Sequence, residues 1–350
     1  MGASIFKHWE YWPSYLFYLP NIPYAIYLAI KAKNPVFFSA ANPAIQHSGN
    51  GSESKFSTLQ LIPEAYKPIS VFIKANNPIS STLLQMEQNK LTYPLIIKPD
   101  IGFRGLLVQR IKTENELLKY LEKHHNLNLI IQEYISFKKE CGIFYYRIPS
   151  EEKGHITSIT LKKYLTVTGD GFSTLKELIL KDSRAKLYFD LLKDLHHNNL
   201  DSIPIKDEEK ILNVIGNHSK GTQFINGKHL ITPELEQAID QIIEQIPNWY
   251  YGRLDLKYNS IEDLIALKNF KIIEFNGIIS EPTHIYDPTN SSYFKALKEI
   301  RKHWKILYRI AILNHSKNKI KYDRISDFIN SLRELKTYTN QIKKQSNLNA

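Results

Sequence analysis

Apolar and polar positions follow two periods along the chain, and each period predicts a different kind of element. Short apolar or alternating runs that end at turn residues predict strands, whereas apolar residues at three- and four-residue spacing predict amphipathic helices. The predicted strands are PVFFSAA (35–41), ISVFIK (69–74), YPLIIKP (93–99), LLVQRI (106–111), LNLIIQEYI (127–135), ECGIFYYRI (140–148), HITSITLKKYLTV (155–167), YYGRLDLKYN (250–259) and FKIIEFNG (270–277). The predicted helices are 79–90, 115–124, 173–181, 233–246 and most of 292–350.

Local signals mark where one of these helices begins and where the chain turns before it. Ser173 or Thr174, followed by Glu177, is a capping pattern for the helix 173–181. The sequence Gly-Asp-Gly at 169–171 lies after an alternating run and predicts a hairpin turn. Both features therefore indicate structure rather than chemistry.

The N-terminal part predicts a small α/β unit over residues 35–75. A glycine- and serine-rich stretch, HSGNGSESK (47–55), lies between its two apolar runs. This stretch resembles a phosphate loop but lacks the spacing G-x-x-x-x-G-K-[ST]. Two interpretations stay open: a plain turn whose Ser52 or Ser54 caps the next helix, and an anion or substrate site near Lys55.

An uncharged aromatic segment precedes this unit. Residues 11–30, YWPSYLFYLPNIPYAIYLAI, are long enough to cross a bilayer as a helix. Pro13, Pro20 and Pro23 argue against a straight span, and the missing small-residue cleavage site argues against a signal peptide. Tyr and Trp favour membrane interfaces. We favour packing on the core, with peripheral contact to a membrane or lipid-like substrate and a true span as alternatives.

Composition and charge place the chain among folded proteins with an anionic partner. With 350 residues, 43% of them hydrophobic, the chain is expected to fold into two or three domains. The net charge is +11, but residues 291–350 carry 14 basic and 4 acidic residues, or +10, which leaves +1 for the rest. The basic signal therefore belongs to the tail, which argues against nucleic acid as a partner of the whole protein. The single cysteine, Cys141, fits a cytoplasmic protein.

Charged residues alternate with leucines in the late strand GRLDLK. Arg253, Asp255 and Lys257 share one face of this strand, because side chains alternate with period two. The next strand brings Glu274 and Asn276 to one face and Ile273 and Phe275 to the other. If the two strands pair, two carboxylates and an amide oxygen converge, which are ligands that magnesium prefers. A sheet with one solvated face would show the same alternation.

Earlier in the chain, a lysine, a glycine loop and an acidic strand end follow one another. Lys98 ends an apolar strand, and the loop from Gly102 to Gly105 lets backbone amides approach a phosphate chain. A surface hairpin that happens to carry a lysine is the alternative. The strand end at Glu133 offers backbone groups to an adenine edge, and Glu140 offers a carboxylate to ribose hydroxyls.

In this order the pieces resemble an ATP-grasp ligase over about residues 79–290. GRLDL and KIIEFNG are closest to the D-alanine–D-alanine ligase-like enzymes, and LTVTGDGFSTLKELI (165–179) is similar to cyanophycin synthetase. The resemblance implies an α+β fold in which two α+β subdomains clamp ATP. The expected domains are an N-terminal aromatic segment with a small α/β domain (1–78), the ATP-grasp domain (79–290) and a basic helical tail (291–350).

The resemblance also implies which residues bind the nucleotide. Lys98 would hold the α- and β-phosphates, and the loop Gly102–Gly105, with Arg104, would close over the β- and γ-phosphates. The adenine hinge and the ribose acceptor would be Glu133, Tyr134, Ile135 and Glu140. Further phosphate contacts are expected from Lys162 or Lys163, and from Asn217 with Lys220.

Metal and catalytic roles follow from the same resemblance. Asp255 and Glu274 would hold two magnesium ions, with Glu274 bridging and Asn276 completing the second site. Arg253 would stabilise the charge that develops on the transferred phosphoryl group, together with Lys98. The N-terminal 78 residues match no D-alanine ligase pattern, so dipeptide synthesis is not implied.

The sequence therefore predicts an ATP-dependent, magnesium-dependent ligase. It would join a small-molecule or amphiphilic carboxylate to an amine through an acyl phosphate. The alternatives are an ATP-grasp phosphotransferase and a membrane-associated nucleotide-binding protein without ligase activity. We expect a cytoplasmic protein with peripheral membrane contact as a further option.

Overall fold

The computed structural model describes residues 9–102, 105–287, 289 and 291–347 of the chain. Its helices and antiparallel sheets are intermixed, which confirms the α+β class. The strands are β1 Ser70–Ile73, β2 Leu95–Pro99, β3 Gln109–Ile111, β4 Leu129–Glu133, β5 Lys139–Tyr146, β6 His155–Lys163, β7 Thr166–Thr168, β8 Glu209–Ile211, β9 Gln223–Asn226, β10 Tyr251–Tyr258 and β11 Phe270–Asn276. The α-helices are α1 Ser14–Tyr18, α2 Ile22–Lys31, α3 Lys55–Gln60, α4 Ile79–Gln88, α5 Glu114–Lys123, α6 Leu175–Lys181, α7 Phe189–Leu195, α8 Pro233–Ile243, α9 Ile261–Ile265, α10 Tyr293–Ser316 and α11 Ile325–Asn347.

Two larger sheets form the frame of the molecule. The first has the strand order β1-β4-β2-β3, and the second has the order β11-β10-β5-β6-β9. Strands β7 and β8 make a separate two-stranded sheet. All the pairings are antiparallel, so each large sheet can bury one face under helices and leave the other face polar.

Each large sheet has its own hydrophobic core. In the first sheet, Leu95, Ile97 and Ile131 are buried under α4 and α5, and Ile342 of α11 joins the same cluster. In the second sheet, the inward residues of β5, β6, β10 and β11 pack on α8. The helix α8 begins at Pro233 with Thr232 as its N-cap, whose side chain accepts from the amide of Leu235.

The predicted strand at 35–41 is wrong. Residues Phe37–Ala40 form a 3-10 helix that packs against α10. The backbone oxygens of Ala40 and Ala41 accept hydrogen bonds from Asn314 of α10, at 2.9 and 3.1 Å. A short buried apolar run is compatible with a strand or with a helical turn. Here the run packs against the helix α10 instead of pairing with a strand. The predicted strand 69–74 exists as β1, but it pairs with β4 across the expected boundary at residue 78.

The turn at 169–171 leads into a helix and is not a hairpin. Asp170 accepts hydrogen bonds from the amides of Phe172 and Ser173, at 3.1 and 2.7 Å. The capping box predicted for α6 is present, with Thr174 as the N-cap and Glu177 as its partner. The predicted division at residues 78 and 290 stays a prediction.

The N-terminal helices α1 and α2 pack on the body through α10. Phe17 of α1 is buried in an aromatic cluster with Ile285 and with Ala296 and Ile300 of α10. Asn21 donates to the backbone oxygen of Leu297 at 3.0 Å. Across the described ranges, no helix combines the length and the apolar character needed to cross a bilayer.

Candidate active site

A cleft of about 1090 Å³ lies between the polar faces of the two large sheets. Strands β2 and β4 of the first sheet line one side, and β5, β6, β10 and β11 of the second sheet line the other. Lys98 and Gln132 project from the first side, and Arg253, Asp255 and Lys257 project from the second. The shared face predicted for β10 is therefore confirmed.

Two carboxylates face each other at the floor of this cleft. Strands β10 and β11 pair so that Asp255 is opposite Glu274 and Arg253 is opposite Asn276. Asn276 Nδ2 donates to Asp255 Oδ2 at 3.2 Å. We call Asp255 and Glu274 the acid pair. Adjacent strands thus bring together three side chains that the sequence predicts to converge.

The expected position of Ile273 is wrong because β11 contains a bulge. The register shifts after Asp255, so that Leu256 is opposite Ile272 and Ile273 has no counterpart of its own on β10. Ile273 consequently lines the cleft, and its backbone oxygen accepts from Lys98 Nζ at 3.3 Å.

Four basic side chains surround the acid pair. Lys162 Nζ lies 3.0 Å from Asp255 Oδ1, and Arg253 Nη2 lies 3.0 Å from Asp255 Oδ2. Lys55 Nζ forms an ion pair with Glu274 Oε1. Lys98 lies on the opposite wall and donates to Gln132 Oε1 at 3.2 Å. The cluster is thus a layer of positive charge over two anions.

These contacts keep the acid pair charged. Burial by itself would raise the pKa of Asp255, but Arg253 and then Lys162 outweigh it and hold that pKa below its ordinary value. Burial likewise opposes the charge of Glu274, yet Lys55 and Lys98 lower its pKa strongly. At Lys98, by contrast, desolvation outweighs the neighbouring charges and lowers the pKa to about 8. Neighbouring cations therefore determine the direction of the pKa shift at Asp255 and Glu274, whereas burial determines it at Lys98.

The donor set of the acid pair suits magnesium. Two charged carboxylates and an amide side chain on neighbouring strands are hard oxygen ligands. No cluster of three or more His, Cys, Asp or Glu side chains forms a metal site in the part of the chain described. A metal held here would share its coordination with oxygens of a bound ligand, as is usual for magnesium.

The predicted hinge residues lie together at one end of the cleft. Glu133 ends β4, and Tyr134 and Ile135 follow it along the same wall. The guanidinium of Arg110 lies 4.1 Å from the ring centre of Tyr134, and Lys257 Nζ lies 5.4 Å from it. Cations on this ring restrain its position beside the hinge.

Glu140 lines the cleft but is already engaged by protein groups. Its Oε1 is 2.7 Å from Lys162 Nζ, and its Oε2 accepts from the hydroxyl of Tyr164 at 2.7 Å. Glu140 thereby positions Lys162, which also contacts Asp255. A role in ribose binding stays a prediction.

Lys162, and not Lys163, is the lysine of β6 that faces the cleft. The alternation along β6 turns neighbouring side chains to opposite faces, and Lys163 is exposed outside the cleft. The expectation for Lys163 is therefore wrong. The sequence did not determine which of the two lysines faces the cleft, because no local feature distinguishes the two faces of HITSITLKK.

The glycine loop and the segment 215–220 approach each other at the mouth of the cleft. A Cβ at Gly105 would lie 2.9 Å from the side chain of Ile215 and 3.9 Å from that of Asn217. Gly102, Gly105, Asn217 and Lys220 all line the cleft. Arg104, predicted to contact phosphate, lies outside the described residues.

Lys55 is the site residue whose role the sequence analysis left open. Ser54 caps α3, as expected, and places Lys55 at the first position of this helix. The preceding loop touches the end of β11: Ile278 and Ile279 donate to the backbone oxygens of Ser48 and Gly49, at 3.0 and 2.9 Å. The N-terminal unit therefore contributes a cation to the site. Cys141, by contrast, is fully buried in the core, as expected for a packing residue.

Comparisons with solved structures find several ligases that are similar to this chain. No protein-family model matches the chain, and no curated protein sequence does. Among solved structures, the VanG D-Ala:D-Ser ligase of Enterococcus faecalis is similar at 16% identity, over 75% of this chain and 64% of that one, with a TM-score of 0.43. The D-alanine–D-alanine ligase of Bacillus anthracis is similar at 12% identity, over 77% and 71%, with a TM-score of 0.43.

A longer enzyme is also among the matches. The bifunctional glutathione synthetase of Pasteurella multocida is similar at 18% identity over 73% of this chain, with a TM-score of 0.39. The matched part spans only 35% of that protein's length. D-alanine–D-alanine ligases, which the sequence resembles, are thus among the similar structures. The similarity of residues 165–179 to cyanophycin synthetase stays a prediction.

Proposed function

We propose that the protein is an ATP-dependent ligase that joins a carboxylate to an amine through an acyl phosphate. The observation that carries this proposal is the charged acid pair beneath four basic side chains, in a cleft between two sheets. Two anions below a layer of cations suit a ligand that brings phosphates together with a divalent cation, such as the magnesium complex of ATP.

The nucleotide is oriented by the two ends of the cleft. The adenine lies at the hinge of Glu133, Tyr134 and Ile135, and the phosphates extend toward Lys98 and the acid pair. Gly102 and Gly105 offer backbone amides at the mouth, where Asn217 and Lys220 also lie. Lys98 Nζ, 3.3 Å from the backbone of Ile273, sits above the acid pair, where phosphate oxygens replace its neutral partners.

Magnesium would be held by Asp255, Glu274 and Asn276, and would neutralise phosphate charge and orient the γ-phosphoryl group. Lys55 and Lys162 pair with the acids in the structure and are available to phosphate oxygens when the acids bind a metal. Arg253 stays between Asp255 and the backbone of Glu281, at 3.0 and 3.1 Å, and faces the transferred group.

The reaction consists of two displacements. A carboxylate oxygen attacks the γ-phosphorus, the bond to the β,γ-bridging oxygen breaks, and ADP leaves. An amine nitrogen then attacks the acyl carbon, the carbon–oxygen bond to phosphate breaks, and inorganic phosphate leaves. An amine that arrives as ammonium loses two protons, one to the departing phosphate and one to solvent. The protein contributes position and charge rather than a base.

The cleft is large enough to hold reactants beside a nucleotide. Its volume of about 1090 Å³ exceeds the roughly 300–1,000 Å³ of a pocket for one small ligand. Beyond Arg253 the cleft continues to Glu281 and Tyr286, away from the hinge. This extension provides room for a second and a third reactant.

ADP release with MgATP tests the proposal, against pools of amino acids, peptides and amphiphilic carboxylates with an amine present. Glu274→Gln should abolish substrate-dependent release while the circular dichroism spectrum stays unchanged. Glu87→Gln, at an exposed position of α4, is the matched control and should keep full activity. Full activity of Glu274→Gln would contradict the proposal. Transfer of ¹⁸O from the carboxylate into phosphate distinguishes ligation from a reaction that stops at phosphorylation.

Peripheral membrane contact is a second candidate property, favoured by one surface. Several apolar side chains of α1 and α2 are exposed, among them Tyr15 at 73% and Ile30 at 71%. The neighbouring face of α10 carries exposed basic residues: Lys295, Lys298, Arg301, Lys302, Lys305 and Arg309. Apolar side chains beside basic ones suit an anionic bilayer surface. Flotation with phosphatidylglycerol vesicles, but not with phosphatidylcholine vesicles, is the expected result.

A further inference from the structure

The end of the cleft beyond Arg253 has a wall of aromatic rings. The ring centres of Tyr11 and His218 are 5.5 Å apart, those of His218 and Phe224 are 5.6 Å apart, and those of His218 and Tyr286 are 6.0 Å apart. Tyr18 lines the same end of the cleft. We call these five residues, together with Glu281, the aromatic compartment. Its rings come from the N-terminal segment, the loop before β9, β9 itself and the segment after β11.

The two acids at this end differ in their partners. Glu10 has a basic partner: Arg184 Nη1 lies 3.3 Å from its Oε2, and His218 Nε2 lies 2.9 Å from the same oxygen. Glu281 accepts only from hydroxyl groups: Tyr286 donates to its Oε2 at 2.8 Å, and Tyr18 donates to its Oε1. Within the described ranges, no basic side chain lies within 4.0 Å of the Glu281 carboxylate. Glu281 is therefore the acid at this end that has hydroxyl partners and no ion-pair partner among the described residues.

A buried hydroxyl group in the same wall also lacks a partner. Thr283 is only 8% exposed and lines the cleft two residues after Glu281. Its Oγ1 makes no hydrogen bond to any described residue. An unsatisfied buried hydroxyl is costly, so a polar group is expected beside it in the working state.

The compartment adjoins the reacting centre. Arg253 Nη1 donates to the backbone oxygen of Glu281 at 3.1 Å, and the same guanidinium contacts Asp255. A group bound at Glu281 therefore lies one side chain away from the acid pair. This position suits a reactant that meets the activated carboxylate.

We propose that the aromatic compartment binds the amine substrate, and that this substrate is a primary amine on an aromatic or apolar body. Its ammonium group pairs with the Glu281 carboxylate, and its body lies on the rings of Tyr11, His218, Phe224 and Tyr286. The identity of this ligand as the attacking amine rests on the proposed function. The preference for an ammonium group beside an apolar body follows from the compartment alone.

Charge and ring geometry support this choice of ligand. A carboxylate at the end of the compartment repels an anionic substrate and attracts a cation. Electron-rich ring faces attract an ammonium group as well, which strengthens the preference. Arg184 does not reverse it, because its guanidinium group already pairs with Glu10.

Isothermal titration calorimetry of the full-length protein without nucleotide tests the proposal with three probes. Phenethylamine has both an ammonium group and a ring, 2-phenylethanol replaces the ammonium by a hydroxyl, and ethylamine lacks the ring. Phenethylamine should bind more tightly than either of the others by about tenfold or more, as expected for a hydrogen bond to a charged group. Glu281→Gln should erase the difference between phenethylamine and 2-phenylethanol. Equal binding of the three probes, no binding of phenethylamine, or a difference that persists in Glu281→Gln would overturn it.

A second variant tests the aromatic rings, and a second ligand tests the proposed function separately. Tyr286→Leu should reduce the advantage of phenethylamine over ethylamine while its charge preference persists; an unchanged advantage would count against the ring wall. MgATP is titrated separately into the same proteins. Loss of ATP binding with the phenethylamine preference intact would defeat the proposed function and spare the compartment. Normal ATP-dependent ADP release without a preference for phenethylamine would support the proposed function and overturn the proposal for the aromatic compartment.

Discussion

The ammonium group of Lys55 contacts the carboxylate of Glu274, although 219 positions separate these residues along the chain. The contact joins the N-terminal unit to the floor of the cleft. Burial opposes the charge of Lys55, but Glu274 outweighs it and raises the pKa of the lysine. Both groups are therefore charged at neutral pH, and each depends on the other.

Replacement of Lys55 should destabilise the protein through Glu274. We expect Lys55→Gln to lower the free energy of unfolding by about 1–3 kcal/mol, because a charged carboxylate keeps its site without its nearest cation. The double variant Lys55→Gln/Glu274→Gln should lose less than the sum of the single variants. Urea unfolding of the four proteins measures this coupling, and strictly additive losses would contradict it.

ATP binding should depend on pH through Lys98. Desolvation lowers the pKa of Lys98 to about 8, so the free protein loses this charge as the pH rises above that value. Affinity for ATP should be constant below about pH 7 and fall by up to roughly tenfold per pH unit above pH 8. Calorimetric titration between pH 6.5 and 9.5 measures it.

Two Lys98 variants serve as controls for this prediction. Lys98→Arg should remove the break near pH 8, because a guanidinium group stays charged over the whole range. Lys98→Ala should weaken ATP binding at every pH by about 10- to 100-fold. A break that survives in Lys98→Arg would assign the titration to another group.

Stability should fall in acid through His303. This residue is 1% exposed, and its Nε2 lies 2.8 Å from Thr157 Oγ1. Burial lowers the pKa of His303 to about 4, from 6.5 in an unfolded chain. Between these values only the unfolded state binds the proton, so the free energy of unfolding falls as the pH is lowered from 6.5 to 4. The loss from this group approaches about 3 kcal/mol at the lower limit.

Thermal unfolding at several pH values tests the role of His303. His303→Gln keeps a polar group near Thr157 but does not titrate, so its stability should change less between pH 6.5 and 4. An identical pH dependence in both proteins would show that other groups cause the acid loss.

Gly277→Ala should damage the fold and the site together. A Cβ at Gly277 would collide with the backbone oxygen of Ser48 and lie 2.7 Å from the Cα of Gly49. We expect the free energy of unfolding to fall by about 1–3 kcal/mol and ADP release to decrease, because Asn276 precedes this glycine. Leu84→Ala, at an exposed position, is the control and should change stability by less than about 0.5 kcal/mol. Equal stability of the two variants would contradict the close approach.

Most of the strands and the acid pair could be predicted because their signals are local. The alternation of Arg253, Asp255 and Lys257 with leucines is contained in one strand, and Glu274 and Asn276 lie in another. The prediction that these side chains converge required only the assumption that the two strands pair, and β10 and β11 do pair. The helix α8 begins at Pro233, as the sequence predicts, and α6 begins at Leu175 after Thr174, one of the two capping residues that the sequence offered.

The remaining features depend on contacts between distant segments. Nothing in HSGNGSESK indicates that its lysine reaches β11, since that contact requires the loop to pack against Gly277. The apolar run at 35–41 became a 3-10 helix because α10 lies against it. The choice between Lys162 and Lys163 required the register of β6. The bulge at Ile273 coincides with a change of phase in the apolar positions, from Phe270 and Ile272 to Phe275, but only the pairing with β10 shows which residue is the extra one.

The register of β10 against β11 decides whether both carboxylates of the acid pair reach the floor of the cleft. A slip of one residue would turn either carboxylate into the hydrophobic core, because neighbouring side chains point to opposite faces of a strand. Leu254 and Phe275, which flank the acids, are both fully packed and would have to enter water in exchange. An insertion or deletion within β10 or β11 would therefore turn one carboxylate away from the cleft unless a bulge such as the one at Ile273 absorbed it. Evolution of a new reaction on this scaffold would have to proceed through the loops and the aromatic compartment, while these two strands stay as they are.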